Sequence, residues 1–225
     1  MSIRHRMGDN MGMATRKRGG RAGALTAEDW VRAALRAIAE GGVGAVAVEP
    51  LAQQLGVTKG SFYWHFPNRN ALLSAALEHW DKESTEAVIA AVDAIADPRE
   101  RLMSLNAAVA VRANGDGTAG WGRPPGRGLD LAIADAADDP LVRPVLRRVT
   151  ARRLAYLDQC YRALGFPADE ARHRALLVYA AYIGTLRLAR EAPDLMPRDD
   201  DYRAYRRHEM ATLVPEGTTG DVEER

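Results

Sequence analysis

The chain has 225 residues, a net charge of +1 and 47% hydrophobic residues, enough for one large domain or two small ones around a substantial core. No apolar run approaches the roughly 20 residues that span a bilayer, and no apolar stretch separates the first arginines from the first helix, so neither a membrane span nor a secretory signal is expected. A single cysteine, Cys160, excludes an intrachain disulfide and argues against a thiolate zinc site, which together point to a cytoplasmic protein.

The small net charge conceals a strong asymmetry. Residues 1–24 carry Arg4, Arg6, Arg16, Lys17, Arg18 and Arg21 against Asp9 alone, a net +5. Residues 25–82 hold five basic and six acidic side chains, and residues 215–225 carry a net −3. The first 24 residues lack hydrophobic periodicity and read as a flexible basic arm, which either solubilises the chain or binds a polyanion. The last eleven read as an acidic tail.

Helical spacing begins at "LTAEDWVRAALRAIAEGG". Thr26 is a suitable N-cap with Asp29 three residues on, and Val31, Ala34, Leu35 and Ile38 recur on one face until Gly41-Gly42 ends the run. "VEPLAQQLG" predicts a second short helix, with Pro50 in its first turn and Gly56 at its end. The third starts at Thr58, spans about two turns and stops before Pro67; Asn68 then caps a longer fourth helix through Leu72, Leu73 and Leu77. Beyond Trp80 the pattern stays helical: a helix opened by Pro98, a Gly/Pro-rich loop over 114–128, a long helix ended by Gly165, an apolar helix from about Pro167, and an amphipathic last helix. No alternating apolar and polar run suggests a strand. An all-α protein is expected.

In the third helix, "TKGSFYWHF", Phe62 and Phe66 fall 40° apart on the helical wheel and suit a core, while Gly60 and Trp64 point nearly opposite, flanked by Ser61 and Tyr63. A short helix that shows solvent an indole, a phenol, a hydroxyl and a bare glycine presents a surface to a partner. Two short helices joined at a glycine have the form of a helix-turn-helix, whose second helix meets base edges in the major groove. Thr58, Lys59 and Ser61 suit base or phosphate contact, and Tyr63, His65 and Arg69 suit phosphate oxygens.

The stretch "VEPLAQQLGVTKGSFYWHFPNRNALLSAALEHW" resembles the DNA-binding segment of TetR-family transcriptional regulators, through Leu51-Ala52, Gly56-Val57, Tyr63-Trp64-His65-Phe66 and Arg69. The specific likeness covers about residues 26–80. It implies an N-terminal three-helix helix-turn-helix domain, here residues 25–72, and a C-terminal helical ligand-binding and dimerisation domain, here 73–214. The implied function is a bacterial, homodimeric repressor that leaves a palindromic double-stranded DNA operator when a small molecule binds, with no catalytic residues, metal or cofactor. DNA contacts then fall on Thr58, Lys59, Gly60, Ser61, Tyr63, Trp64, His65 and Arg69, with Arg16, Lys17 and Arg18 of the arm. The chain departs from the family at Ala47, Val48 and Glu49, where the second helix often offers Thr, Ser or Arg to DNA, so the arm is expected to supply the missing positive charge. Deleting residues 1–24 should weaken DNA binding and flatten its dependence on salt, measured as the slope of log affinity against log salt.

By the same resemblance the effector, hydrophobic or aromatic by default, lies among the middle helices, with Met103, Asn106, Trp121, Tyr156, Cys160 and Tyr179 as candidate lining; each also reads as ordinary core or surface. Leu176, Ala180, Ile183, Gly184 and Arg187 are the candidate dimer face, pairing with the last helix in a four-helix bundle; core filling is the other reading of that face. "RRVTARR", residues 147–153, reads as a solvated helix face, with an acidic partner or ligand as the alternative. Two rival functions stay open: a helical small-molecule-binding or scaffold protein that has lost DNA readout, for which Glu49 argues, and an all-α enzyme, for which the scattered histidines give no support.

Overall fold

A computed structural model describes residues 25–114 and 125–214. The described residues form ten α-helices and no strand: α1 (Ala27–Gly41), α2 (Val48–Gln54), α3 (Lys59–Phe62), α4 (Arg69–Asp81), α5 (Ala87–Asp93), α6 (Pro98–Asn114), α7 (Pro125–Asp135), α8 (Val142–Ala163), α9 (Ala168–Glu191) and α10 (Asp199–Leu213). The all-α reading is correct. The basic arm with Arg16, Lys17 and Arg18, the acidic tail and Trp121 lie outside the described residues.

Local chemistry sets the boundaries. The Thr26 hydroxyl accepts from the Asp29 backbone N–H, and the Asp29 carboxylate accepts in return from the Thr26 N–H at 2.8 Å, so the capping box closes with aspartate in place of glutamate. Asp97 caps α6 by accepting from the Arg99 and Glu100 N–H groups, with Pro98 behind it in the first turn. Gly56 takes φ +70° in the turn between α2 and α3, a left-handed conformation that a side chain would strain. Two boundaries differ from expectation. The third helix is a single turn rather than two, continued only by a turn over residues 63–65. The Gly/Pro-rich segment is shorter than 114–128, because α6 runs to Asn114 and Pro125 opens α7 in the first-turn position that proline favours.

Two apolar cores organise the chain. One joins α1–α4 to Ile133 of α7 and to Val142, Val145 and Val149 of α8, around Trp30, Phe62, Leu72 and Leu77. The other gathers Val92, Leu102, Tyr156, Cys160, Tyr161, Phe166 and Ala175 from α5, α6, α8, α9 and the turn between the last two. Helix α7 presses so closely on α1 that a Cβ added at Gly128 would lie 2.5 Å from the Ala39 carbonyl oxygen, so this crossing requires glycine.

A single rod connects the cores. Helix α4 passes without a break in helical backbone angles through one wide turn, Lys82–Glu86, into α5. In that turn the Ala87 N–H reaches back five residues to the Lys82 carbonyl, which makes it a π turn, a feature concentrated at functional sites. The Ser84 hydroxyl donates to the Trp80 carbonyl at 2.6 Å, satisfying an acceptor at the π turn.

Candidate DNA-reading head and ligand cavity

The head is anchored from below. Phe62 is fully buried, edge-on to Trp30 at 5.3 Å and stacked on Phe66 at 5.8 Å. With that side fixed, Trp64 is left 88% exposed and Tyr63 55% exposed. Thr58, Lys59 and Gly60 are exposed, Ser61 and His65 are half-buried, and a Cβ added at Gly60 would meet only the Thr58 hydroxyl, at 3.6 Å. The division of this turn into an anchoring face and a bare aromatic face is as the sequence predicts.

The two charged residues at the head behave differently from each other. Lys59 donates to Glu49 at 2.7 Å; the hydrogen bond to Lys59 pulls the Glu49 carboxyl below its ordinary range, and the bond to Glu49 holds the Lys59 ammonium above its own. Glu49 thus masks the one lysine of α3. Arg69, expected on phosphate, points its guanidinium inward: Nε donates to the Val46 carbonyl at 2.7 Å and Nη2 to the Val43 carbonyl at 2.8 Å. Val43 opens the 3-10 turn Val43–Ala45 between α1 and α2 and Val46 caps its end, so Arg69 ties the two ends of that turn together.

Behind the head, Arg148, Arg152 and Arg153 of "RRVTARR" clamp α8 to the π-turn region from a face that stays partly solvated. Arg148 donates to Glu78 at 2.8 Å and Asp81 at 3.2 Å, and Arg152 reaches Asp81 at 3.2 Å and Glu86 at 2.8 Å, so α8 grips both ends of the π turn. One turn inward, Arg153 donates to Thr85 Oγ1 and Ser84 Oγ, both at 3.0 Å, stands 3.5 Å from Asp130, and lies over the Trp80 ring at 5.4 Å. Asp130 also accepts from Trp80 Nε1 at 2.7 Å and from the Tyr182 hydroxyl at 2.9 Å. Burial opposes the charge of Arg153, but the Asp130 carboxylate and the tyrosines beside it outweigh that penalty and keep it firmly cationic.

This network walls one end of a cavity of about 130 Å³ lined by the π turn and by α5, α6, α7, α8, α9 and α10. Of the expected lining residues, Asn106, Tyr156 and Tyr179 line it. Met103 does not: it sits on the outer face of α6, exposed, with Arg99 against its sulfur. Cys160 lies in the core behind the wall, and burial raises its thiol pKa. The sequence reading missed Asp130, and it named Arg153 only within a basic helix face whose alternative role was an acidic partner or ligand. Arg153 had left a trace, since it interrupts the apolar stripe Val145, Val149, Tyr156, Cys160; Asp130 in "LDLAIAD" left none.

At the far end Arg206 bonds both Asn106 and Glu209, and the Tyr161 hydroxyl donates to the Leu213 carbonyl. Burial pushes Tyr161 from about 10 to about 12. The unfolded chain therefore releases this proton first, so the stabilisation is complete below about pH 10 and is lost as pH rises towards 12. In alkaline unfolding followed by circular dichroism, Tyr161→Phe should fall less steeply over that window, while losing about 1 kcal/mol at neutral pH with the hydrogen bond.

Among the expected dimer residues, Leu176 and Ala180 are exposed on α9, Ile183 and Gly184 are half-buried, and Arg187 is tied to Asp135 at 2.6 Å. Leu177 and Leu188, 64% and 55% exposed, extend the same uncovered apolar face. On α10, Tyr202 and Leu213 face the cavity, and Met210 and Leu213 pack on the second core. Among the described residues no group of His, Cys, Asp and Glu could hold a metal, and no helix is long and apolar enough to cross a membrane.

A helix-turn-helix head carried on an all-helical body with an internal cavity defines a DNA-binding regulator. Residues 31–76 match the family model described as bacterial regulatory proteins, tetR family. A curated HTH-type transcriptional regulator of Mycobacterium tuberculosis is 29% identical over 197 residues, 83% of this chain and 95% of that one. Two crystal structures share the fold: a transcriptional regulator from Rhodococcus sp. (20% identity, TM-score 0.65, 84% of this chain and 94% of that one) and AibR in complex with isovaleryl coenzyme A and operator DNA (18% identity, TM-score 0.60, 84% and 98%). The chain is thus similar to the TetR family of bacterial regulators, specifically over residues 31–76 and more distantly along most of its length.

Proposed function

We propose that this protein is a ligand-responsive repressor, working as a cytoplasmic, nucleoid-associated homodimer that leaves a palindromic operator when a small hydrophobic or aromatic molecule enters the cavity. One observation carries the reading: the helix that starts directly behind the recognition turn is continuous, through the π turn, with the wall of the cavity. A molecule that packs against Ser84 and Thr85 therefore touches the rod that holds the head. If it binds better to a state in which the two heads are spaced differently, it shifts the population away from the DNA-bound form.

The bare face of Thr58, Lys59, Gly60, Ser61, Tyr63, Trp64 and His65 is the proposed contact with DNA, with Arg69 acting through the turn whose ends it ties. The two heads of a dimer must stand about 34 Å apart to enter successive major grooves. The uncovered α9 face, from Leu176 to Leu188, is the proposed dimer surface, and AibR, with its bound ligand and operator, supports the pairing of the two functions on this fold.

The Glu49–Lys59 pair favours the alternative, a helical small-molecule-binding protein without DNA readout, because it neutralises the one lysine of α3. A binding selection on random duplex DNA separates the two. An enriched palindrome supports the repressor, and no enrichment from the full-length dimer supports the alternative.

A further inference from the structure

If the cavity receives an effector, as the ligand-responsive reading requires, its wall says more about that molecule than that it is hydrophobic. Five of the seven tyrosines in the chain line it: Tyr156, Tyr161, Tyr179, Tyr182 and Tyr202. Four of these have hydroxyls engaged within the protein, on Asp93, the Leu213 carbonyl, Thr150 and Asp130. Between them stand aliphatic side chains such as Val88, Ile89, Leu102 and Leu105.

Four ionised side chains also reach the wall, and they cancel. Arg153 and Asp130, each 14% exposed, stand 3.5 Å apart at the π-turn end, and each has further hydrogen-bond partners. Arg206 and Glu209 pair at the α10 end, where Arg206 also donates to Asn106. An organic ion entering this space would give up much of its hydration and find both counter-charges taken, a penalty in so apolar a site. A neutral molecule of the same shape loses little and gains the apolar burial. The space is also modest, about 130 Å³, close to the engineered cavity of about 150 Å³ in another protein that takes up benzene.

We propose that the cavity selects uncharged molecules about the size of a single ring, with at most one hydrogen-bonding group, and rejects organic ions of the same shape. This selectivity rests on the ligand-responsive reading of the same site. Asp130 and Arg153 enforce it by neutralising one another. Removing either charge should then convert the cavity into a site for the opposite ion. With Asp130→Asn, which keeps an oxygen for Trp80, Arg153 lacks its counter-charge and should take up an anion; with Arg153→Gln, Asp130 should take up a cation.

The test uses the full chain and four probes at millimolar concentration near pH 7: benzyl alcohol, cyclohexanol, benzoate and benzylammonium. Binding is read by calorimetry and by the shift in melting temperature. At least one neutral probe should bind the native protein at least ~10-fold more tightly than either ion. Asp130→Asn should reverse the order in favour of benzoate, and Arg153→Gln in favour of benzylammonium. Should one variant not fold, the other reads the same point, as does Glu209→Gln at the far end, which should favour benzoate. Native protein that binds either ion as well as the neutral probes, or binds none of the four, overturns the proposal, as does unchanged selectivity in every folded variant. Release of the selected duplex DNA is followed separately. A neutral probe that binds without loosening DNA leaves the selectivity standing and removes the repressor reading, whereas an ion that alone binds and releases DNA does the reverse.

Discussion

Phe62→Ala is expected to destabilise the DNA-reading head by about 3–5 kcal/mol, the range for removing a fully buried phenylalanine. The ring is fully buried, edge-on to Trp30 and stacked on Phe66. Helix α3 is only one turn long, so its hydrogen bonds cannot hold it without that anchor. Against a total stability of roughly 5–15 kcal/mol, the loss should appear as a much lower denaturation midpoint together with lost DNA binding. Trp64→Ala is the contrast. Its indole is almost fully in solvent, so stability should change by no more than about 0.5 kcal/mol while DNA affinity falls. A Trp64→Ala protein that binds DNA normally would show that the bare aromatic face reads nothing.

The second large effect belongs to Asp130. Replacement by alanine leaves the Trp80 indole N–H and the Tyr182 hydroxyl without their acceptor and Arg153 without its counter-charge, all at one largely buried point. Each orphaned neutral donor costs about 1–3 kcal/mol, and breaking a buried ion pair about 3–5 kcal/mol, though these overlap and do not add. A loss of roughly 3–5 kcal/mol in urea unfolding is expected for Asp130→Ala. Asp130→Asn should recover part of it, because the amide oxygen still accepts from Trp80. If Asp130→Ala unfolds at the native midpoint, the network contributes nothing to the closure of the body.

Both predictions turn on residues whose legibility in the sequence differed. Phe62 was readable because helical periodicity and the Gly-Val turn fix which face of α3 is covered, and local rules operate over only a few residues. Eight of the ten described helices followed from caps, prolines and glycines for the same reason, whereas α7 began inside the expected Gly/Pro-rich loop and α5 was not separated from α4. Asp130 was not readable, since its partners lie 50 and 52 positions away on α4 and α9, and nothing in "LDLAIAD" encodes a distant indole or phenol. Arg69 shows the opposite failure. Its motif position suggested phosphate, but a long arginine beside the Val43–Ala45 turn bonds the Val43 and Val46 carbonyls instead. Met103 was misassigned because the weak amphipathicity of α6 gives no sure inner face, and the arginines of 147–153 because their acidic partners sit on a different helix.

The π turn at Lys82–Glu86 gives the connecting rod a built-in change of phase. One residue more per turn than an α-helix requires displaces every later side chain by about 100° around the axis. Leu73, Leu77 and Trp80 before the turn face the first core, and Val92 after it faces the second. The rod can therefore serve two cores that lie on different sides of it. Were this turn to tighten by one residue, the two halves would rotate relative to each other before either had moved along its length. Motion through this connection thus has a screw sense as well as a direction, and the arginines of α8 bracket the point where that rotation would begin.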